Sequence, residues 1–406
     1  MDSLITAASQ ALTAGDPLGA LKRVALREDA PALALRGIAM AQLEDFPRAR
    51  DLLRRAAKAF GTGEPVARAR CAVAEAEIAL VSRDLVRTSG ALETARLTLA
   101  SLGDEMNAAH AGYLLARWHL LTGKLDDAAA LVAETDRTAL PPASRVGLAL
   151  VAAGIAMRRV RAADVRDALG QARRTANSAG IPALLAEVGH AEQAFAAPAA
   201  RIITGGTNRL AGLEEVEALI ASDMLLVDTC RDAIRSGRHK VRLAGRPVLF
   251  ALARALAEAW PDEVTREQLL ACAFGAKHAD ESHRARLRVE IGRLRRKLSA
   301  MANLKATKAG FVLETHTHSG VAVLAPPAEE RHGTLLALLA DGEAWSSSAL
   351  ALALGVSART TQRALEELSS EGKVESFGRG RACRWVARTI PGFPTCLLLP
   401  ALSPRG

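Results

Sequence analysis

Between Glu281 and Leu298 the chain reads ESHRARLRVEIGRLRRKL. Leu287, Ile291, Leu294 and Leu298 recur at steps of four, three and four, the spacing of a single helix face. Arg284, Arg286, Arg288, Arg293, Arg295, Arg296 and Lys297 occupy much of the remaining surface, opposed only by Glu281 and Glu290. The pattern predicts an amphipathic helix that buries one side and offers the other to a polyanion. Its neighbours are also legible. Pro247 suits a first helical position, and Leu249, Leu252, Leu256 and Trp260 give that helix its apolar face before Pro261-Asp262 closes it. Thr265 and Gln268 have the spacing of a capping box, with Val264 and Leu269 as a hydrophobic staple around it. MLLVD (224–228) and HKVRLAG (239–245) read as strands on either side of a turn at Arg235-Ser236-Gly237. LKATKAGFVLE (304–314), with Lys305, Lys308 and Gly310, predicts a tight β-hairpin after the basic helix.

Residues 1–200 show helical periodicity throughout, broken at Gly15-Asp16-Pro17, Gly61–Pro65, Gly103-Asp104, Pro141-Pro142 and Gly180–Pro182. Three passages look alike at their turns: AMAQLEDFPRARDLL (39–53), HLLTGKLDDAAALV (119–132) and AMRRVRAADVRDAL (156–169). Aligned on Ala49, Ala128 and Ala168, they imply a repeat of about forty residues with one less legible unit between the first two. Small side chains at fixed points let paired helices approach closely. The segment resembles a degenerate tetratricopeptide-type array. That resemblance implies an α-solenoid with an extended surface for a protein or peptide partner; the same Ala-rich helices would equally serve a homodimer. His110, Tyr113, Trp118 and His119 are expected to pack rather than to act.

Residues 201–223 are read as a linker, since Pro198, Gly205, Gly206 and Gly212 interrupt any long helix; AGLEEVEALIAS (211–222) forms a short one. A second small domain is predicted over residues 329–388. Helical RHGTLLALLADG (331–342) precedes a helix from Trp345-Ser346-Ser347 to Leu354. A turn at Gly355-Val356-Ser357 leads to ARTTQRALEELSSEG (358–372). KVESF (373–377) and ACRWV (382–386) then flank a basic tip. The Leu-Gly-Val-Ser turn and the helix after it look like the helix-turn-helix of many bacterial repressors. Arg359, Thr360, Gln362 and Arg363 on that helix, with Arg379 and Arg381 at the hairpin tip, are candidate DNA contacts. Residues 389–406 form a tail whose Cys396–Leu399 piece is expected to pack as an edge strand.

Charge sharpens this division. The chain carries 53 basic and 44 acidic side chains, a net of +9. Residues 1–223 are neutral, with 26 of each sign, and residues 326–388 are neutral with eight of each. Residues 224–325 hold 18 basic against 10 acidic. A concentrated excess of this kind is the electrostatic footprint of a nucleic-acid site. The five cysteines form no CxxC pair or disulfide framework, and no signal peptide or membrane span is evident, so a cytoplasmic location is expected. His316 and His318 would share a strand face, and Cys272, His278 and His283 form a looser cluster. Neither has the ligand spacing of a metal centre. No phosphate loop, nucleophile elbow or catalytic dyad is present in the pattern, so no enzyme, cofactor or metal is expected.

The leading strands, then RLRVEIGRLRRKL (286–298), then ATKAGF (306–311), closely resemble the DNA-binding domain of OmpR/PhoB-type transcriptional regulators. That family has an N-terminal sheet, a long recognition helix ending in a similar basic run, and a wing closing on Gly-Tyr. Here Gly310-Phe311 stands at the last place, and Glu290 where the family commonly has histidine. The resemblance covers about residues 224–325. It implies a winged helix-turn-helix in which Arg284, Arg286 and Arg288 read bases. Arg293, Arg295, Arg296 and Lys297 would contact phosphates or pair within the domain, and Lys305 and Lys308 would reach an adjacent groove. No receiver domain precedes it. The expected whole is mainly α: an α-solenoid followed by two winged helix-turn-helix domains with small antiparallel sheets. The expected function is sequence-specific regulation of transcription on double-stranded DNA. The alternative is a protein-interaction adaptor tethered to nucleic acid without sequence preference.

Overall fold

Residues 2–85, 88–243, 245–274, 281–316, 320–327, 332–339, 344–378, 380 and 383–387 are described by the computed structural model. They are mainly helical and fall into two compact units. One holds Met1–Ala156, Asp164–Ala191 and the chain from Thr334 onward; the other holds Met157–Ala163 and Glu192–Gly333.

The first unit begins with helices α1 (Ser3–Thr13), α2 (Pro17–Val24), α3 (Ala30–Gln42), α4 (Phe46–Phe60), α5 (Pro65–Val81), α6 (Thr88–Ser101), α7 (Glu105–Leu121), α8 (Leu125–Glu134), α9 (Pro142–Arg158), α10 (Ala162–Ala179) and α11 (Pro182–Ala196). From α1 to α8 each packs on the next. Left-handed residues stand at most turns: Gly15, Glu44, Gly61, Arg83, Gly103, Gly123, Val160 and Gly180 all have positive φ. In five of them the next N–H closes on the carbonyl five residues back, as Asp16 on Ala11, Asp45 on Met40, Asp84 on Ala79, Asp104 on Leu99 and Lys124 on His119. This is the Schellman way of ending a helix. The steps from 44 to 83 and from 83 to 123 supply the repeat hidden between the first two legible passages. Five residues beyond Glu44, Gly123 and Val160 lie Ala49, Ala128 and Val165, all fully buried. The equivalent of Ala49 in the third passage is therefore Val165, not the half-buried Ala168.

Close approach explains the aromatic and glycine positions in this array. Gly147 lies under the ring of Tyr113, where a Cβ would come within 2.4 Å of the phenol oxygen. Tyr113 is 7% exposed and donated to by Arg117 at 3.3 Å, so the sole tyrosine is core. Trp118 donates from its indole to the Leu85 carbonyl at 3.1 Å.

The first unit also contains the C-terminal helices. α16 (Gly333–Leu339), α17 (Ser347–Leu354) and α18 (Ala358–Ser370) precede two antiparallel strands, Val374–Phe377 and Arg384–Ala387. Ser346 and Ser357 cap α17 and α18 through their hydroxyls, and Gly355 ends α17 in the left-handed region. The core of these elements is continuous with that of the array: Trp345, Leu350, Leu365 and Trp385 belong to one cluster with Leu80, Leu85, Leu92 and Leu114. Arg83 makes the joint. Its guanidinium lies 5.2 Å from the Trp345 ring, and its carbonyl accepts from the Ser346 hydroxyl at 3.3 Å. These contacts hold a non-glycine residue at φ 49°, a conformation that costs an L-residue energy unless its surroundings hold it.

In the second unit, strands β1 (Ala200–Thr204) and β2 (Thr207–Ala211) and helix α12 (Leu213–Ala221) occupy the segment read as a linker. They lead into β3 (Leu225–Asp228), β4 (Ala233–Ser236) and β5 (His239–Arg242), then α13 (Pro247–Glu258), β6 (Val264–Thr265), α14 (Arg266–Phe274) and α15 (Glu281–Leu298). The unit closes with β7 (Ala302–Ala306), β8 (Gly310–Thr315) and β9 (Val321–Ala325). Six strands pair in the order β2-β1-β9-β3-β4-β5, with β9 antiparallel to β1 and parallel to β3. Every residue of β9 is buried, the pattern of a central strand covered on both faces. The turn expected at Arg235-Ser236-Gly237 lies further on. Ala233 and Ile234 bury in β4, and Ser236 pairs with His239 around Gly237-Arg238, a two-residue hairpin loop.

Candidate nucleic-acid interface

Helix α15 spans the predicted residues and buries the predicted stripe: Leu287, Ile291, Leu294 and Leu298 are each at most 2% exposed. They join one core with Leu249, Leu252 and Leu256 of α13 and Leu269 and Leu270 of α14. At roughly 1.5–3 kcal/mol per fully buried side chain, that stripe is what holds so charged a helix in place. The helix before it begins as its spacing predicts. Thr265 Oγ1 accepts from Gln268 N–H at 3.2 Å, and Gln268 Oε1 accepts from Thr265 N–H at 2.9 Å. Val264 and Leu269 are both buried beside this reciprocal cap.

The β7–β8 hairpin is tied to the same cap. β6 pairs with β8, setting Val264 opposite Phe311 and Thr265 opposite Gly310. A Cβ on Gly310 would stand 1.8 Å from the Val264 carbonyl oxygen, so only glycine permits this approach. Arg266 donates to the Lys308 and Thr307 carbonyls at 2.7 and 2.9 Å and lies over the Phe311 ring. Nothing in the spacing of the sequence marks Arg266 for this role; its signal is only that it follows the cap.

The basic side chains of α15 stand in distinct surroundings. Arg288 and Arg284 approach Glu281 at 2.9 and 3.7 Å, and Arg293 donates to Glu290 at 2.7 Å. The pairs on Glu281 are exposed and contribute little to stability, whereas Glu290 is half-buried. Arg286 lies 4.7 Å from the Phe274 ring centroid. Arg295 donates twice to the Leu304 carbonyl, at 3.0 and 2.6 Å, and so joins α15 to β7. Arg296 is exposed and Lys297 half-buried. On the hairpin, Lys305 pairs with Glu314 at 3.4 Å and Lys308 sits in the turn.

Six more basic residues of the unit, Arg231, Arg235, Arg238, Lys240, Arg242 and Arg246, lie before α13, around β4 and β5. The ladder sets Arg235 directly opposite Lys240. Desolvation, and then the guanidinium groups of Arg235, Arg242 and Arg231, hold the Lys240 ammonium below the usual lysine range. The charge excess of residues 224–325 is thus divided between two places.

In the C-terminal elements Arg359, Thr360 and Arg363 are exposed on α18, while Gln362 is half-buried and donates to Glu366 at 3.0 Å. Arg379 and Arg381, the residues of the tail, His278 and His318 lie outside the described residues. Among those described, no group of three His, Cys, Asp or Glu side chains is placed to hold a metal ion, and no helix is long and apolar enough to cross a membrane.

One constellation is invisible in the sequence. Ser144 Oγ lies 2.9 Å from His110 Nδ1, and His110 Nε2 lies 3.3 Å from Glu77. Their exposures are 3%, 1% and 9%. With no access for a substrate, these groups satisfy one another between α5, α7 and α9, as buried polar groups must. No known family model, curated protein or solved structure matches the chain.

Proposed function

We propose that the chain is a sequence-specific, DNA-binding regulator of transcription. In this reading α13–α15 and the β7–β8 hairpin form an OmpR/PhoB-type winged helix-turn-helix with α15 as recognition helix. The C-terminal elements form a second, electroneutral winged helix with α18 toward DNA. The helical array is a solenoid that senses a protein or peptide partner or pairs with a second copy. One observation carries the reading: an 18-residue helix anchored by four buried apolar residues carries seven basic side chains on the rest of its surface, six of them exposed, beside a pinned hairpin. Affinity would come from phosphates and specificity from base edges.

The test is selection of duplexes from a random pool by the full chain, followed by titration of the selected and a scrambled duplex over a salt series. A preference of about 10³-fold or more for the selected duplex is expected, the lower bound usual for specific binders. Equal affinity for both, with a shared salt slope, would overturn it and leave the nonspecific tether, because phosphate contacts carry no sequence information.

A further inference from the structure

Val289 is an apolar, β-branched residue in the middle of α15, and 53% of it is open to solvent. A helix turns by about 100° per residue. That rotation sets Val289, with Ala285 one turn before it and Arg296 two turns after it near the C-terminal end, opposite the buried Leu287–Leu298 stripe. Basic residues flank this crest on both sides. Arg284, Arg288 and Arg295 lie toward β7, where Arg295 holds the Leu304 carbonyl. Arg286, Arg293 and Lys297 lie toward α14, where Arg286 covers Phe274. A surface serving only a polyanion gains nothing from valine at its crest. Valine there exposes apolar area to water and is a poorer helix former than arginine or lysine.

The arrangement has a use at the floor of a major groove. The groove is about 12 Å wide and a helix with its side chains about 10–12 Å across, so the crest of an inserted helix meets base edges while its flanks meet the walls. The apolar group displayed by base pairs there is the C5-methyl of thymine. We infer that Val289 reads a thymine methyl, while the exposed basic side chains on either side, apart from the tethered Arg295, grip the phosphates of the two strands. Specificity at that step then comes from an apolar contact rather than from a bidentate arginine. This rests on the DNA-binding reading above and names what that site recognises.

The experiment replaces each thymine of the selected duplex, one at a time, with deoxyuridine, which keeps its pairing and lacks only the methyl. Full-length protein and its Val289→Ala variant are titrated against each duplex. For the unaltered protein, one or two replacements weaken binding about three- to fivefold, the scale of one buried methyl. Val289→Ala binds the thymine and deoxyuridine forms of those duplexes equally. The variant keeps its fold because the position is half open and alanine favours helix; an unshifted melting curve checks this. Deoxyuridine that is neutral at every position, or a penalty that persists in Val289→Ala, overturns the assignment and leaves DNA binding standing. A pool that yields no preferred duplex overturns both.

Discussion

Arg295 and Arg296 are neighbours in the chain with different surroundings on α15. Arg295 points two N–H groups at the carbonyl of Leu304, itself 1% exposed. Arg296 is exposed, with no side-chain hydrogen bond or ion pair among the described residues. Removing Arg295 leaves a buried carbonyl without its donors, so Arg295→Ala should cost about 1–3 kcal/mol of unfolding free energy. Its effect on the salt dependence of binding should be small. Arg296→Ala should leave stability within about 0.5 kcal/mol and lower the slope of log K against log salt by about 0.9, one phosphate contact. Denaturant titration and a salt series on both variants check this, and the reverse assignment of effects would refute it.

At the scale of elements, the start of α14 ties a helix to a sheet. Thr265 caps the helix with its side chain and pairs with Gly310 through its backbone. Thr265→Ala should remove the first and keep the second, for a loss of about 1 kcal/mol. Amide exchange should report faster opening at Gln268 while the β6–β8 pairing remains protected; loss of both would show that the strand depends on the cap. Such local devices are why α13, α14, α15 and the hairpin were legible in the sequence with nearly correct bounds. A cap, a staple, a stripe and a close-approach glycine each act within a few residues. β1, β2 and β4 were not legible. β1 pairs with β9 more than a hundred residues away, so its strand character comes from a partner that local pattern does not contain. The phase of the helical repeat failed for a related reason. In so Ala-rich a chain, alanine marks no particular point, and the left-handed turn residues are glycine at some turns but Glu44, Arg83 and Val160 at others. The basic face of α15 was legible as a face. Which residue stands at its crest and which are tethered needed the neighbours, Leu304 and Phe274 above all.

For the molecule as a whole, the charge and the cores divide along the same line. Most of the net positive charge lies in the second unit, whose core is built from residues of that unit alone. In the first unit the C-terminal elements and the array share one core across more than two hundred residues of sequence, through Trp345 and Arg83. Trp345 is fully buried, and its backbone also bridges to Trp385 in both directions at 2.8 Å. An array that responds to a partner would therefore act directly on the element carrying Arg359, Thr360 and Arg363. Trp345→Ala should remove about 3–5 kcal/mol from that shared core. In a calorimetric scan it should lower one transition by roughly 10 °C, the shift such a loss makes in a domain of this size. The transition of the second unit should stay in place, since its core is built from residues of that unit alone. The array and the C-terminal elements should descend together. If the variant instead splits the lowered transition, with the array melting at its original temperature, the two fold independently and the joint at Arg83 carries no coupling.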